Sequence, residues 1–211
     1  MLLDINAALQ TLALELGRQH ARLAAMTCRR DARALDEAEP ADLVIASYLI
    51  GELGETERRT LAEALWAKTR DTLLVVEPGT PAGFRRVIEL RAQLIAAGAR
   101  VAAPCPHDAP CPLAAPDWCH FSQRLPRLRA HIQAKGAELP FEDEKFSYVV
   151  LTRAPTTKTF SRMLAPPVLT KVEVSAKLCT AVGLAIAKVP RRDKAAYAKA
   201  RRWRWGEALF D

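Results

Sequence analysis

The sequence predicts an α/β fold built on a parallel sheet. Two apolar runs of strand length, "ADLVIASYL" and "DTLLVVEPG", are separated by a segment with helical periodicity. Strands that alternate with helices of about 15 residues indicate crossover connections and hence parallel pairing. Both runs are continuous rather than alternating, the pattern of strands covered by helices on both faces.

The elements follow in order. "MLLD" is a short apolar run ending in an acid. "NAALQTLALELGRQHARLAAM" predicts a helix with Asn6 as N-cap and Leu9, Leu12, Leu16 and Leu23 at helical spacing. A short strand is expected around "AAMTC". "GETERRTLAEALWAKTR" predicts an amphipathic helix with Leu61, Leu65 and Trp66 inward and Glu57, Arg58, Arg59 and Lys68 in water. Pro78-Gly79 stops the next strand. "PAGFRRVIELRAQLIAAG" predicts a helix closed by Gly98 as the residue after the C-cap. "ARVAAPC" is a strand entering a loop. Further on, "FSQRLPRLRAHIQAKGAEL" is basic and partly helical, "EKFSYVVLTRAP" is a strand, and "KVEVSAKLCTAVGLAIAKV" is a β-hairpin turning at "TAVG". The C-terminal "PRRDKAAYAKARRWRWGEALFD" begins as a helix.

The chain has 211 residues, 50% hydrophobic and 26% charged, with a formal net charge of +7. That suits one compact unit with an appendage, divided here as 1–155 and 156–211. No apolar run approaches the roughly 18 residues that cross a bilayer, so no membrane partner is expected. "MLLDINAALQ" lacks the basic and apolar regions of a signal peptide. The expected location is cytoplasmic, or the mitochondrial matrix in a eukaryote, and the expected state is monomeric. The positive charge points to an acidic partner, nucleic acid being the commonest.

Ligands of open α/β sheets bind beyond the carboxyl ends of the strands. Asp4, Asp31, Ser47 and Tyr48 sit at such ends. Together they resemble the later motifs of a Rossmann-like S-adenosylmethionine-dependent methyltransferase, which makes them candidate cofactor-binding residues. That fold also needs a first strand and a glycine-rich turn for close backbone approach to the cofactor. Neither precedes Asp4, so the chain is expected to be N-terminally truncated, and S-adenosylmethionine binding is not secured by its residues. An ordinary helix-entry acid is the other reading of Asp4.

"PCPHDAPCPLAAPDWCH", Pro104 to His120, holds three of five cysteines, two of four histidines and five of fourteen prolines. Proline at that density excludes helix and ordinary strand. Cys105, Cys111 and Cys119 are spaced C-x5-C-x7-C, and Cys179 in the predicted hairpin is the fourth candidate; Cys28 lies outside the pattern. Clustered thiols without a secretory signal point to metal or catalysis rather than disulfides. Four thiolates hold zinc or an iron–sulfur cluster. The wide spacing suits a cluster, while His107 and His120 keep zinc open.

"EPGTPAGF", "APCPHDAPCPL", "DWCHFSQR", "KGAELPFEDEKFSYV" and "ARRWRWGE" closely resemble the methyltransferase-like family of small-ribosomal-subunit assembly proteins, with mitochondrial and bacterial members. The resemblance runs from about Asp4 to Trp205. It implies a Rossmann-like methyltransferase fold over 1–155 with the cysteine-rich loop 104–120, a C-terminal hairpin and basic tail over 156–211, and a [4Fe–4S] cluster on Cys105, Cys111, Cys119 and Cys179. It also implies binding to the small ribosomal subunit or its precursor rRNA during maturation. Two alternatives stay open: an active rRNA methyltransferase, and a zinc-stabilised RNA-binding module without catalysis.

From Lys188 to Trp205 the chain carries Lys188, Arg191, Arg192, Lys194, Lys199, Arg201, Arg202 and Arg204 against Asp193 alone, with Tyr197, Trp203 and Trp205 interleaved. Basic side chains neutralise phosphates and aromatics stack on unpaired bases. Arg124, Arg127, Arg129 and Lys135 form a second basic stretch. The candidate RNA contacts are Arg124, Arg127, Arg191, Arg192, Lys199, Arg201, Arg202, Trp203 and Arg204; the other reading is that the tryptophans anchor the tail. Glu142, Asp143 and Glu144 read as a solvated turn, Glu77 as a turn-capping acid or a pocket residue, and His20 and His131 as surface residues.

Overall fold

The computed structural model describes residues 1–30, 35–157 and 159–210. At the N-terminus, β1 (Leu2–Leu3) pairs in parallel with β2 (Cys28–Arg29). Between them runs α1 (Ala7–Arg18), capped as expected: Asn6 Oδ1 accepts from the N–H groups of Ala8 and Leu9. The helix predicted to reach Met26 ends at Arg18, and turns follow it. The leucines at core-like spacing stay largely in solvent: Leu9, Leu12, Leu16 and Leu23 are each at least half exposed.

The main sheet has the order β3–β4–β7–β5, formed by β3 (Ala41–Ser47), β4 (Thr69–Pro78), β7 (Phe141–Thr152) and β5 (Arg100–Ala103). β3 and β4 are parallel, joined through α2 (Glu55–Ala67). α3 (Pro81–Ala96) connects β4 to β5. The expected all-parallel sheet is corrected at β7, which lies between β4 and β5 and runs antiparallel to both. β7 is long because it serves two partners along one edge. Its C-terminal part pairs with β5 and its N-terminal part with β6 (Phe121–Pro126). The triplet Glu142–Glu144 therefore lies in a strand, not a turn.

The expectation of helices on both faces is also corrected. Burial alternates along the central strands. Leu73, Val75 and Glu77 of β4 and Ser147, Val149 and Leu151 of β7 are buried, while their neighbours are only partly so. The buried face meets Leu65 and Trp66 of α2 and Val87, Leu90 and Leu94 of α3 in one core. β3 is an edge strand whose Leu43 and Ile45 are exposed.

A second sheet is antiparallel throughout, with β8 (Phe160–Met163), β10 (Glu173–Thr180), β11 (Gly183–Pro190) and β12 (Ala208–Phe210) in the order β11–β10–β8–β12; β9 (Val168–Leu169) also pairs with β10. β10 and β11 are the hairpin expected from the sequence. Its small core is Met163, Ala176 and Leu178, with Trp203 and Leu209 packed against it. The basic stretch after β6 holds the short helix α4 (Arg129–Lys135), and the tail begins as predicted, with α5 (Lys194–Ala200).

The motif "EPGTPAGF" has a structural explanation. Glu77 is 1% exposed; its Oε1 accepts the Ile50 N–H at 3.1 Å, and Arg86 lies 3.6 Å from Oε2. Thr80 caps α3 through Gly83 N–H, and Pro81 opens the helix. A Cβ on Gly83 would lie 2.0 Å from the Pro78 carbonyl oxygen, so only glycine lets α3 start this close to β4.

Burial raises the Glu77 carboxyl above its ordinary range, outweighing the Ile50 N–H and Arg86. A raised carboxyl contributes stability that is present below the unfolded pKa and is lost as pH rises through the folded one. The stability of Glu77→Gln relative to wild type therefore improves as pH rises from the ordinary glutamate range towards neutrality. Denaturant midpoints across that range check this, and a pH-independent difference contradicts it.

Candidate metal centre and cationic surface

β5 and β6 lie end to end along the same edge of β7, and Pro104–His120 is the excursion between them. Prolines keep that excursion from pairing, so the edge of β7 is left open around Ser147–Val149. There the loop folds into a cavity instead. Its walls include Cys105, Cys111, Cys119 and Cys179, together with Tyr148, Val87, Leu113 and Leu164. The structure thus brings all four predicted thiols to one place. Cys28 is elsewhere, beside Gln10.

Each wall of the cavity is held by named contacts. Ser147 Oγ donates to the Cys119 carbonyl at 2.8 Å, and Trp118 Nε1 donates to the Gly79 carbonyl at 3.0 Å. Lys177, two residues before Cys179, pairs with Asp117 of the loop. Cys179 is 6% exposed and sits opposite Arg162 in the β10–β8 register. Its Sγ is 3.4 Å from His107 Nε2, while His107 Nδ1 donates to the Ala109 carbonyl. Sequence reasoning placed His107 only as an alternative ligand, and it did not find Arg91 or Arg162, which also line the cavity.

The chemistry of the donor set fits a metal group. Burial, and then the neighbouring thiols, push Cys179 up to about 12 and Cys119 well above the thiol range. Cys119 and Cys179 resist ionisation because burial and neighbouring thiols oppose the charge; a bound cation removes that penalty and displaces the protons. Among the described residues no group of three or more His, Cys, Asp or Glu side chains is arranged to hold a metal ion. A single tetrahedral zinc would need sulfurs about 3.8 Å apart, from Zn–S bonds of about 2.3 Å.

The candidate cofactor residues are not gathered in this way. Asp4 ends β1 and its Oδ1 accepts the Asn6 N–H at 2.7 Å, the helix-entry role. Ser47 and Tyr48 end β3 and are exposed; Tyr48 takes φ 54°, and its N–H donates to Val76. No hydrogen bond among the described residues links Asp4 to either. Asp31 lies outside the described residues.

The two basic stretches separate. Arg124 makes a two-pronged pair with Asp143, at 2.7 and 2.8 Å, and lies over the Phe141 ring. Arg127 and Lys135 both pair with Glu142. The same pairs hold the Asp143 and Glu142 carboxyls below their ordinary values. Among the described residues, Arg191, Arg192, Lys199, Arg201, Arg202 and Arg204 form no ion pair, and all are exposed. Trp203 packs on the second core rather than offering a free ring. Trp205 meets His120 edge-on at 4.9 Å, and His120 stacks on Trp118 at the same distance, so the tail docks on the loop. Burial lowers the His120 pKa. His20 and His131 are exposed, as expected.

These observations define a mixed α/β protein whose two sheets share a four-cysteine cavity, with an unpaired cationic tail beside it. The profile of the family described as mitochondrial small ribosomal subunit Rsm22 matches residues 1–210, and the chain belongs to that family. It is 30% identical over 184 residues to a human (Homo sapiens) protein named ribosome assembly protein METTL17, mitochondrial; the match covers 80% of this chain and 39% of the relative. The chain therefore spans well under half the length of that relative. No helix among the described residues is long and apolar enough to cross a membrane.

A raised thiol pKa fixes the sign of an alkaline effect. The thiol contributes stability that is complete below its ordinary 9.0 and is lost as pH rises through about 12. Metal-free protein is expected to lose stability between these values, and Cys179→Ala to lose less over the same window. Denaturation midpoints at stepped pH measure the difference; identical slopes contradict it.

Proposed function

We propose that this chain is a small-ribosomal-subunit assembly protein that binds a metal cluster and contacts rRNA. The observation that carries the reading is the convergence of Cys105, Cys111, Cys119 and Cys179 on one apolar cavity. The family match and the human relative's name supply the ribosomal context. As in that relative's name, a mitochondrial location is proposed for a eukaryotic source. The β3–α2–β4 and β4–α3–β5 connections support a Rossmann-like methyltransferase domain over 1–155, and the second sheet with its tail makes a unit over 156–211.

The proposed cluster is [4Fe–4S], with the four cysteine thiolates as ligands. It would supply structural cross-linking and, if reduced and oxidised, one-electron chemistry. The chain's own residues do the rest. The loop closes over the cavity through Ser147 and Trp118, the Lys177–Asp117 pair draws the hairpin onto it, and Val87, Leu113 and Leu164 exclude water. Binding a group here joins residues far apart in sequence, so its affinity adds to folding stability. Zinc is the second reading, supported by His107 beside Cys179.

Arg191, Arg192, Lys199, Arg201, Arg202 and Arg204 are the proposed phosphate contacts, since their charges are not spent inside the protein. Arg124 and Arg127 are committed to Asp143 and Glu142. Trp203 acts as an anchor. S-adenosylmethionine binding and methyl transfer to rRNA are a further reading. A positive φ at Tyr48, on the exposed carboxyl end of β3, supports it, because such strain concentrates at functional sites.

Protein purified without oxygen is expected to be brown and to carry iron and acid-labile sulfide; Cys179→Ser should lose most of both. Colourless protein with one zinc per chain overturns the cluster. Affinity for small-subunit rRNA should fall steeply with salt, and the double variant R201E/R202E should flatten that dependence by about 0.9 in log–log slope per lost phosphate contact. A salt-independent affinity overturns the phosphate contacts. Calorimetry with S-adenosylmethionine decides the methyltransferase reading.

A further inference from the structure

Two arginines border the four thiols, and neither belongs to the cationic tail. Arg91 of α3 is 2% exposed and lines the cavity. Its Nη2 donates to the carbonyls of His107 and Ala109 at 2.8 and 2.9 Å, and its buried Nε–H has no hydrogen-bond partner. Arg162 of β8 lines the same cavity across the strand pair from Cys179. It donates to the Pro104 and Gly206 carbonyls at 3.0 and 2.8 Å, and its guanidinium lies over the Phe160 ring.

All these polar partners are neutral. Arginine stays charged, and taking a cation out of water, fully at Arg91 and in part at the half-buried Arg162, is costly unless an anion balances it. Among the described residues no carboxylate pairs with either guanidinium. The cavity that both guanidinium groups line can form thiolates. A divalent centre on four thiolates keeps two negative charges. Two guanidinium groups match that remainder in number and oppose it in sign.

We infer that Arg91 and Arg162 are the counter-charge residues of the four-thiolate centre, and that the unpartnered Arg91 Nε–H is a donor for one of its sulfurs. The inference rests on the four-thiolate reading above and goes beyond it. The loop contacts fix where these charges sit. Arg91 grips the backbone between Cys105 and Cys111, and Arg162 grips it immediately before Cys105. The same two side chains therefore shape the loop and set the field at its sulfurs. Positive charge and N–H donors beside a cluster favour its reduced form, because reduction adds negative charge.

The experiment compares wild type with Arg91→Gln, Arg91→Lys and Arg162→Gln. Each protein is prepared without oxygen and loaded with iron and sulfide; the potential is read by electron paramagnetic resonance during a redox titration. Metal-free protein is titrated separately with Co2+ alone, and circular dichroism checks the fold. Arg91→Gln and Arg162→Gln should each move the reduced-to-oxidised ratio about tenfold towards oxidised at a fixed potential, a fall of about 59 mV for one electron. Both should bind Co2+ less tightly. Arg91→Lys keeps the charge and should fall between wild type and Arg91→Gln. Should Arg91→Gln not fold, Arg91→Lys and Arg162→Gln carry the comparison.

Unchanged potentials and Co2+ affinities in loaded, folded variants overturn the inference and leave the cluster reading standing. Wild type that takes up neither iron and sulfide nor Co2+ overturns both.

Discussion

An unfilled strand position in the main sheet organises the rest of this protein. β5 and β6 occupy the two ends of one edge of β7, and between them the chain leaves the sheet for the proline-rich loop. Continuing straight would have paired the β7 backbone and left no cavity. The excursion instead presents three thiols to the open stretch at Ser147–Val149, and the fourth arrives from β10 of the second sheet. The contacts between the halves of the chain concentrate here. Asp117 meets Lys177, Pro104 meets Arg162, and His120 meets Trp205. The cysteine cavity is thus also a joint.

That arrangement explains why small hydrophobic contributions suffice for the second sheet. Its own core is three buried residues with a few partly buried neighbours, far short of the set on the main sheet. Small domains with little buried area usually need a metal, disulfides or a partner surface. Here the neighbouring α/β layer offers the surface, and the four thiols offer the place where a metal group would tighten it. Trp203 and Trp205 serve the same end. One fills the small core, and the other covers the loop beside His120.

Much of this was legible in the residues, for physical reasons that differ from place to place. Asn6, Pro81 and Gly98 act locally, at single helix ends, and the local pattern specified them; the Thr80 cap came only with the structure. The main strands and helices of the first half and the hairpin followed from apolar periodicity, but β6, read as part of a basic helical stretch, and the short β8, β9 and β12 did not. Strand direction did not, because β7 looks like any buried strand until its partners are known. The apolar spacing in α1 correctly gave a helix but not a buried face, since spacing does not say what a face meets. Cys179 could be paired with the loop because four similar donors have few ways to combine. Arg91 and Arg162 could not be found, because in a sequence rich in arginine nothing separates a buried guanidinium from a solvated one.

The same limit applies to the basic stretches, and there the structure discriminates where composition could not. Arg124 faces Asp143 across the β6–β7 pair, and Arg127, just past the end of β6, reaches Glu142; both partnerships depend on the β6–β7 register and on no local motif. A shift of one residue would turn each of Asp143 and Glu142 to the face away from its arginine and release both cations. In the tail Asp193 spends its carboxylate capping α5 through the Ala196 N–H, and Glu207 spends its own on the Arg204 backbone N–H. The helix cap thus leaves the arginines after it unneutralised. Exposed cations held on a short helix and an ordered turn, rather than on a free chain, keep their spacing before any polyanion arrives. Less entropy would then be lost in binding one. The tail's charge and its anchoring tryptophans are in this sense one device, in which packing supplies the order and the arginines supply the field.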